Sequence, residues 1–132
     1  MTDKLTMPSS ELARRLTESV GFEERLVGVK MNQMGGANPT ALFSLPDVAA
    51  FIKIDKDEVL SDMVGKVTVG FIEPQALARW IAGVFGDEEL AGAIREVASQ
   101  HEYYADTVPG LKALMYERLA QCREVLQPAV AE

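Results

Sequence analysis

Apolar residues recur at helical spacing along most of the chain, most clearly between residues 72 and 105. Positions i, i+3, i+4, i+7 and i+8 of one stripe are Leu77, Trp80, Ile81, Val84 and Phe85. This stripe predicts an amphipathic helix. Pro74 suits its first turn, because proline lacks the N–H that would have no partner there. Gly86 can end the helix in the left-handed conformation, and Asp87 can cap a second helix. We therefore expect two helices that meet at a sharp corner.

Further helices are predicted on both sides of this pair. Ser9 or Ser10 can cap a first helix that runs to about Val20, and Ser44 can cap a short one that runs to Lys53. Asp55, with Glu58 three residues later, resembles the start of another helix. A last helix is expected to begin near Pro109, and its apolar residues step by 4, 4, 3 and 4 through Leu111, Met115, Leu119, Cys122 and Leu126.

Two short segments are ambiguous between strand and other structure. Residues 26–31 fit a strand or a helical continuation, and residues 67–71 fit a strand or an extended link. Residues 33–40, with two adjacent glycines before Asn-Pro, predict a connecting loop. The expected fold class is mainly α, a compact bundle of five or six short helices with at most a minimal two-strand β element.

Length predicts a single domain, since 132 residues are enough to bury one core. Its expected parts, in chain order, are a flexible leader over 1–8, an N-terminal helix and Gly-rich loop over 9–42, a helix-turn-helix-like segment over 43–86, a C-terminal helical hairpin over 87–127, and a mobile tail over 128–132.

The charge balance is acidic and uneven. The formal net charge is -7, and residues 87–132 hold nine acidic and four basic side chains. An acidic balance opposes non-specific binding to nucleic acid and to anionic membranes. No apolar run reaches the roughly 20 residues of a membrane span. With a single cysteine, Cys122, the sequence predicts a cytoplasmic protein without internal disulfides.

One part of the chain resembles a known family. Residues 48–59 have the layout of two helices around a turn at Lys53-Ile54-Asp55, and two later motifs, Gly65-Lys66-Val67 and Leu77-Ala78-Arg79-Trp80-Ile81, follow them. Over residues 43–82 the sequence resembles the excisionase-like, MerR-related winged helix-turn-helix family. The resemblance implies sequence-specific DNA binding, with candidate DNA contacts at Lys56, Ser61, Lys66 and Arg79.

The charge of the expected recognition helix opposes this role. Between residues 55 and 64 four acidic side chains face one lysine, whereas a recognition helix lies between two rows of phosphates. We therefore place DNA binding second among the hypotheses.

No motif indicates catalysis, a cofactor or a metal ion. His101 continues the apolar stripe of the second helix, so it is expected to be buried rather than to join Glu102 and Asp106 as a metal ligand. Cys122 lies on the inward face of the last helix, where burial would raise its pKa and reduce its reactivity. The chain is therefore not expected to be an enzyme.

The tyrosines are better candidates for contacts with a partner. Only one of the adjacent Tyr103 and Tyr104 can face inward on a helix, and exposed tyrosines are frequent anchors in protein interfaces. Tyr116 is a third candidate. The leading hypothesis is a non-catalytic, acidic protein-interaction or regulatory module that uses residues 87–126 to bind another protein or a second copy in a homodimer; the alternative is a DNA-binding regulator.

Overall fold

The structure, a computed structural model, describes residues 5–32, 36–56 and 67–127. Most of the ordered backbone in these ranges is helical. Five α-helices are present among the described residues: α1 Ser10–Thr17, α2 Leu45–Phe51, α3 Pro74–Trp80, α4 Glu88–Ser99 and α5 Tyr104–Leu126. A 3₁₀ turn, Phe22–Glu24, precedes the sheet, and a π-helical turn, Ile81–Phe85, continues α3. The predicted mainly helical class is confirmed.

The strands form one antiparallel sheet in the order β2-β1-β4-β3. Their bounds are β1 Leu26–Asn32, β2 Gly36–Leu42, β3 Lys53–Lys56 and β4 Val67–Phe71. Both segments predicted as possible strands, 26–31 and 67–71, are strands, and they pair with each other. The expected two-strand element is too small, however, because β2 and β3 extend the sheet at its two edges.

The predicted loop over residues 33–40 is wrong from Gly36 onward. Gly36–Leu42 is a strand paired along its length with β1, and Gly36 has a φ of 78°. Asn38 and Pro39 oppose strand structure locally, but proline is tolerated in an edge strand, where half of the N–H groups need no partner. The remaining loop residues, 33–35, lie outside the described residues.

The predicted caps organise the helical side of the molecule. The Ser44 hydroxyl accepts a hydrogen bond from the Asp47 N–H at 3.3 Å, and α2 follows. Pro74 begins α3 as expected, and Gly86 ends the π-helical turn with a φ of 75°. A carboxylate oxygen of Asp87 then accepts from the Leu90 N–H at 3.1 Å. The expected corner between two helices is confirmed.

Other helix ends differ from the predictions. The first helix ends at Thr17 rather than near Val20. The last begins at Tyr104, so Pro109 lies inside it rather than at its start. Since α4 ends at Ser99, His101 lies in the connection and is exposed. The prediction that His101 is buried is therefore wrong.

Among the described residues, the helices pack mainly on the sheet face that carries Leu26 and Leu42. Leu26 and Leu42, from β1 and β2, are buried in the same core as the helices. Gly28 and Gly70 lie against Phe51 at the end of α2, and a Cβ added to Gly70 would stand 1.8 Å from the Phe51 carbonyl oxygen. Glycine at this position therefore lets α2 approach the sheet.

A buried polar network joins the first described residues to α5 and to the start of α4. Arg118 of α5 is 1% exposed and donates to both carboxylate oxygens of Asp87 at 3.0 and 3.1 Å. It also donates to the Thr6 carbonyl oxygen at 2.6 Å, and the Leu5 carbonyl accepts from Gln121 at 2.8 Å. Residues 5 and 6, expected to belong to a flexible leader, are thus held against α5, and residues 1–4 lie outside the described residues.

None of the described helices combines the length and the apolar character that a membrane span requires.

Candidate protein-binding surface

Apolar side chains from β1, β2 and β4 share the sheet face that points away from the helices. Side chains alternate along a strand, so residues paired in register share a face. Val29 of β1 lies between Pro39 of β2 and Phe71 of β4. Two residues further along β1, Met31 lies between Ala37 and Val69. We call this surface the outer sheet face; its members are Val27, Val29, Met31, Ala37, Pro39, Ala41, Val69 and Phe71.

The outer sheet face is accessible. Val27 is 49% exposed, the three β2 residues Ala37, Pro39 and Ala41 are exposed, and the remaining members are half-buried. An antiparallel sheet with one face on a core normally carries polar side chains on its other face. Contiguous apolar surface of this kind marks sites of interaction in soluble proteins.

A cleft of about 290 Å³ lies at the edge of this face. Phe71 belongs both to the outer sheet face and to the cleft, so the two are continuous. The other lining residues come from the start of α3, the end of α4, the connection into α5 and the first turn of α5, and they include Glu73, His101, Glu102, Tyr103 and Tyr104. We call this the Tyr103 cleft after Tyr103, which is 65% exposed.

Tyr104 fixes the wall of the Tyr103 cleft to the sheet. Its ring centroid is 4.6 Å from that of Phe71. Its hydroxyl donates to the Gly70 carbonyl oxygen at 2.8 Å and accepts from the Ile72 N–H at 3.2 Å. Burial raises the pKa of Tyr104 to about 12, although the hydrogen bond from Ile72 opposes the shift. The helix start is thereby held on β4.

This raised pKa predicts a loss of stability in alkali. The pKa of an exposed tyrosine is about 10, so the unfolded chain releases this proton at a lower pH than the folded chain. The stabilisation is complete below about pH 10 and is lost as the pH rises toward about 12. In urea titrations at several pH values, the free energy of unfolding should fall more steeply over this window for the parent than for Tyr104→Phe. Tyr116→Phe, at an exposed tyrosine, should follow the parent; parallel curves for parent and Tyr104→Phe would contradict the expectation.

The three tyrosines predicted as partner contacts differ in exposure. Tyr103 faces solvent, whereas the adjacent Tyr104 is half-buried. Tyr116 is 48% exposed, and its ring centroid lies 5.5 Å from the Lys112 ammonium. Tyr103 and Tyr104 both line the cleft, and Tyr116 is absent from that lining. Whether any of them contacts a partner stays a prediction.

The candidate DNA contacts fall on separate elements. Arg79 is exposed on α3, and Lys56 is the last residue of β3. Ser61 and Lys66 lie outside the described residues, as does most of the expected recognition helix. The expected turn of the helix-turn-helix is wrong, because Lys53–Lys56 is a strand paired with β4. Ile54 pairs with Val69 there, and this long-range pairing outweighs the local capping signal of Asp55.

The structure gives no support to a metal site within the part of the chain that it describes. No group of three or more His, Cys, Asp or Glu residues there is placed to hold a metal ion. Cys122 is buried, and burial raises the pKa of its thiol, as the sequence predicts.

Sequence reasoning missed the outer sheet face, although the signal is present. Val27, Val29 and Met31 alternate with Leu26, Gly28 and Lys30, so an apolar residue stands on both faces of β1 near its start. A strand of a sheet that packs one face on a core normally carries apolar residues on that face alone. The sequence predicts a loop over residues 33–40, so the part of β2 that completes the face is not predicted from the sequence.

Comparisons with family models, with curated proteins and with solved structures gave no significant match, so the helix-turn-helix resemblance stays a prediction.

Proposed function

We propose that this chain is a non-catalytic protein-interaction module that binds another protein, or a second copy of itself, through the outer sheet face. The observation that supports it is the composition of that face: eight apolar side chains in register, with Val27 49% exposed and with α5 contacting the face through Tyr104 at Phe71. Leaving such a surface in water is unfavourable, at roughly 25 cal/mol per Å² of apolar area. A partner that covers it gains this free energy.

The proposed surface differs from the one expected on residues 87–126. The inward sides of α4 and α5 are used within the molecule, since Leu90, Ile94, Leu111 and Met115 are fully buried. What the C-terminal helices contribute is the start of α5, where Tyr103 lines the same cleft as Phe71. The interaction surface is therefore the sheet together with that helix end.

Placing a charge on the outer sheet face tests the proposal. Val27→Lys should abolish binding of partners captured from an extract of the source cells, because an ammonium group would be desolvated against apolar surface. Ala113→Lys, at an exposed position of α5, makes the same charge change elsewhere and should leave binding intact. Circular dichroism and urea titration establish that both variants are folded. Retention of the same proteins by Val27→Lys would contradict the proposal.

A further inference from the structure

The Tyr103 cleft has a chemical character different from that of the outer sheet face beside it. Two carboxylate residues, Glu73 and Glu102, line it together with the rings of Phe71, Tyr103 and Tyr104. None of the ten described residues in the lining is a lysine or an arginine. Aromatic ring faces and carboxylates attract the same kind of group, a cation.

Neighbouring helix ends do not reverse this preference. The start of α5 places a partial positive charge near Tyr103, but Asp106 in its first turn offsets that charge. The Glu73 carboxylate accepts from the Gln75 and Ala76 N–H groups at 3.0 Å each, so it neutralises the start of α3. Glu102 is exposed at the rim of the cleft and adds a further negative charge.

Resting on the proposed function, we propose that the partner is a basic amphipathic segment, which places its apolar side chains on the outer sheet face and one arginine or lysine side chain in the Tyr103 cleft. Phe71 joins the two surfaces, so one segment can reach both. The net charge of -7 favours a basic partner at longer range as well. The cation would lie over the exposed ring of Tyr103, next to the Glu102 carboxylate.

A second copy fits the cleft less well. It would bring the same net charge of -7, and its own cleft would bring the same two carboxylates. Repulsion between like charges would then oppose the hydrophobic gain and would be relieved by salt. A basic partner makes the opposite prediction, since salt weakens attraction between unlike charges.

Two short peptides separate these possibilities. Acetyl-Leu-Arg-Leu-Leu-amide carries the proposed cation, and the same peptide with citrulline in place of arginine has nearly the same shape without charge. Each is titrated into the ¹⁵N-labelled full chain and followed by two-dimensional NMR. The arginine peptide should shift the resonances of Val27, Val29 and Tyr103, bind more tightly than the citrulline peptide, and lose affinity when salt is added.

Variants of the cleft make the test specific. Tyr103→Ala and Glu102→Gln should each weaken the arginine peptide by roughly 2- to 5-fold and leave the citrulline peptide unchanged. Tyr116→Ala, at an exposed tyrosine of the same helix, should change neither. Equal affinity for the two peptides at the outer sheet face would overturn the inference and leave the proposed function standing. Absence of shifts at Val27 and Val29 with both peptides would count against both proposals. Concentration-dependent shifts there without peptide would assign the face to a second copy and overturn the inference.

Discussion

Arg118→Met is expected to lower the free energy of unfolding by about 3–5 kcal/mol, the range found when one member of a buried ion pair is removed. All five guanidinium N–H groups of Arg118 have acceptors: two donate to Asp87, and the others donate to Glu89, Gln121 and the Thr6 carbonyl oxygen. Methionine preserves most of the side-chain volume but donates a hydrogen bond to none of these acceptors. Asp87, which is 2% exposed, would then retain a buried charge without its partner.

The expected control is Arg123→Met, which removes an exposed arginine from the same helix and should change stability by less than about 0.5 kcal/mol. Combining Arg118→Met with Asp87→Asn should cost less than the sum of the two single changes, because asparagine can still cap α4 and leaves no unpaired charge. Urea titrations of the parent, Arg118→Met, Asp87→Asn and the double variant measure the coupling free energy between the two residues. Equal losses for Arg118→Met and Arg123→Met would show that the network does not hold the fold together.

Gly70→Ala is expected to destabilise the protein by about 1–3 kcal/mol or more, although it adds one methyl group. The added Cβ would stand 1.8 Å from the Phe51 carbonyl oxygen, and this neighbour is backbone rather than a flexible side-chain end. Either α2 or the β3–β4 pair must therefore move.

Gly92→Ala provides a matched control with the opposite sign. Gly92 lies on the exposed side of α4 with nothing within 4 Å of an added Cβ, so alanine should raise stability by about 0.5–1 kcal/mol through helix propensity. The midpoints of urea unfolding should thus move in opposite directions. A Gly70→Ala protein as stable as the parent would contradict the close approach of α2 to the sheet.

Features of the fold that depend on neighbouring residues could be predicted from the sequence. Ser44 as the cap of α2, Gly86 at the helical corner and Asp87 as the cap of α4 each act within five residues of their own position. The sequence predicts a strand or a helical continuation at residues 26–31, and only the pairing with β2 and β4 decides between them.

Features that depend on distant partners could not be predicted. Local propensity argues against a strand at Asn38 and Pro39, and only the place of β2 at the sheet edge permits one. Lys53–Lys56 resembles a helix cap locally but pairs with β4. Arg118 looks like a surface residue of a helix, because its partner Asp87 is 31 residues away. The outer sheet face needs all these pairings before its apolar side chains meet.

The most direct test of the central claim is photo-cross-linking from the outer sheet face. A benzoylphenylalanine residue in place of Val27, with the same residue in place of Ala113 as the control, is irradiated in the cells that produce the protein. The interaction proposal predicts one discrete adduct from position 27 and none from position 113, whether the adduct contains another protein or a second copy of this chain. Equal, diffuse labelling from both positions would contradict it, because the apolar face would then be no more engaged than an ordinary surface.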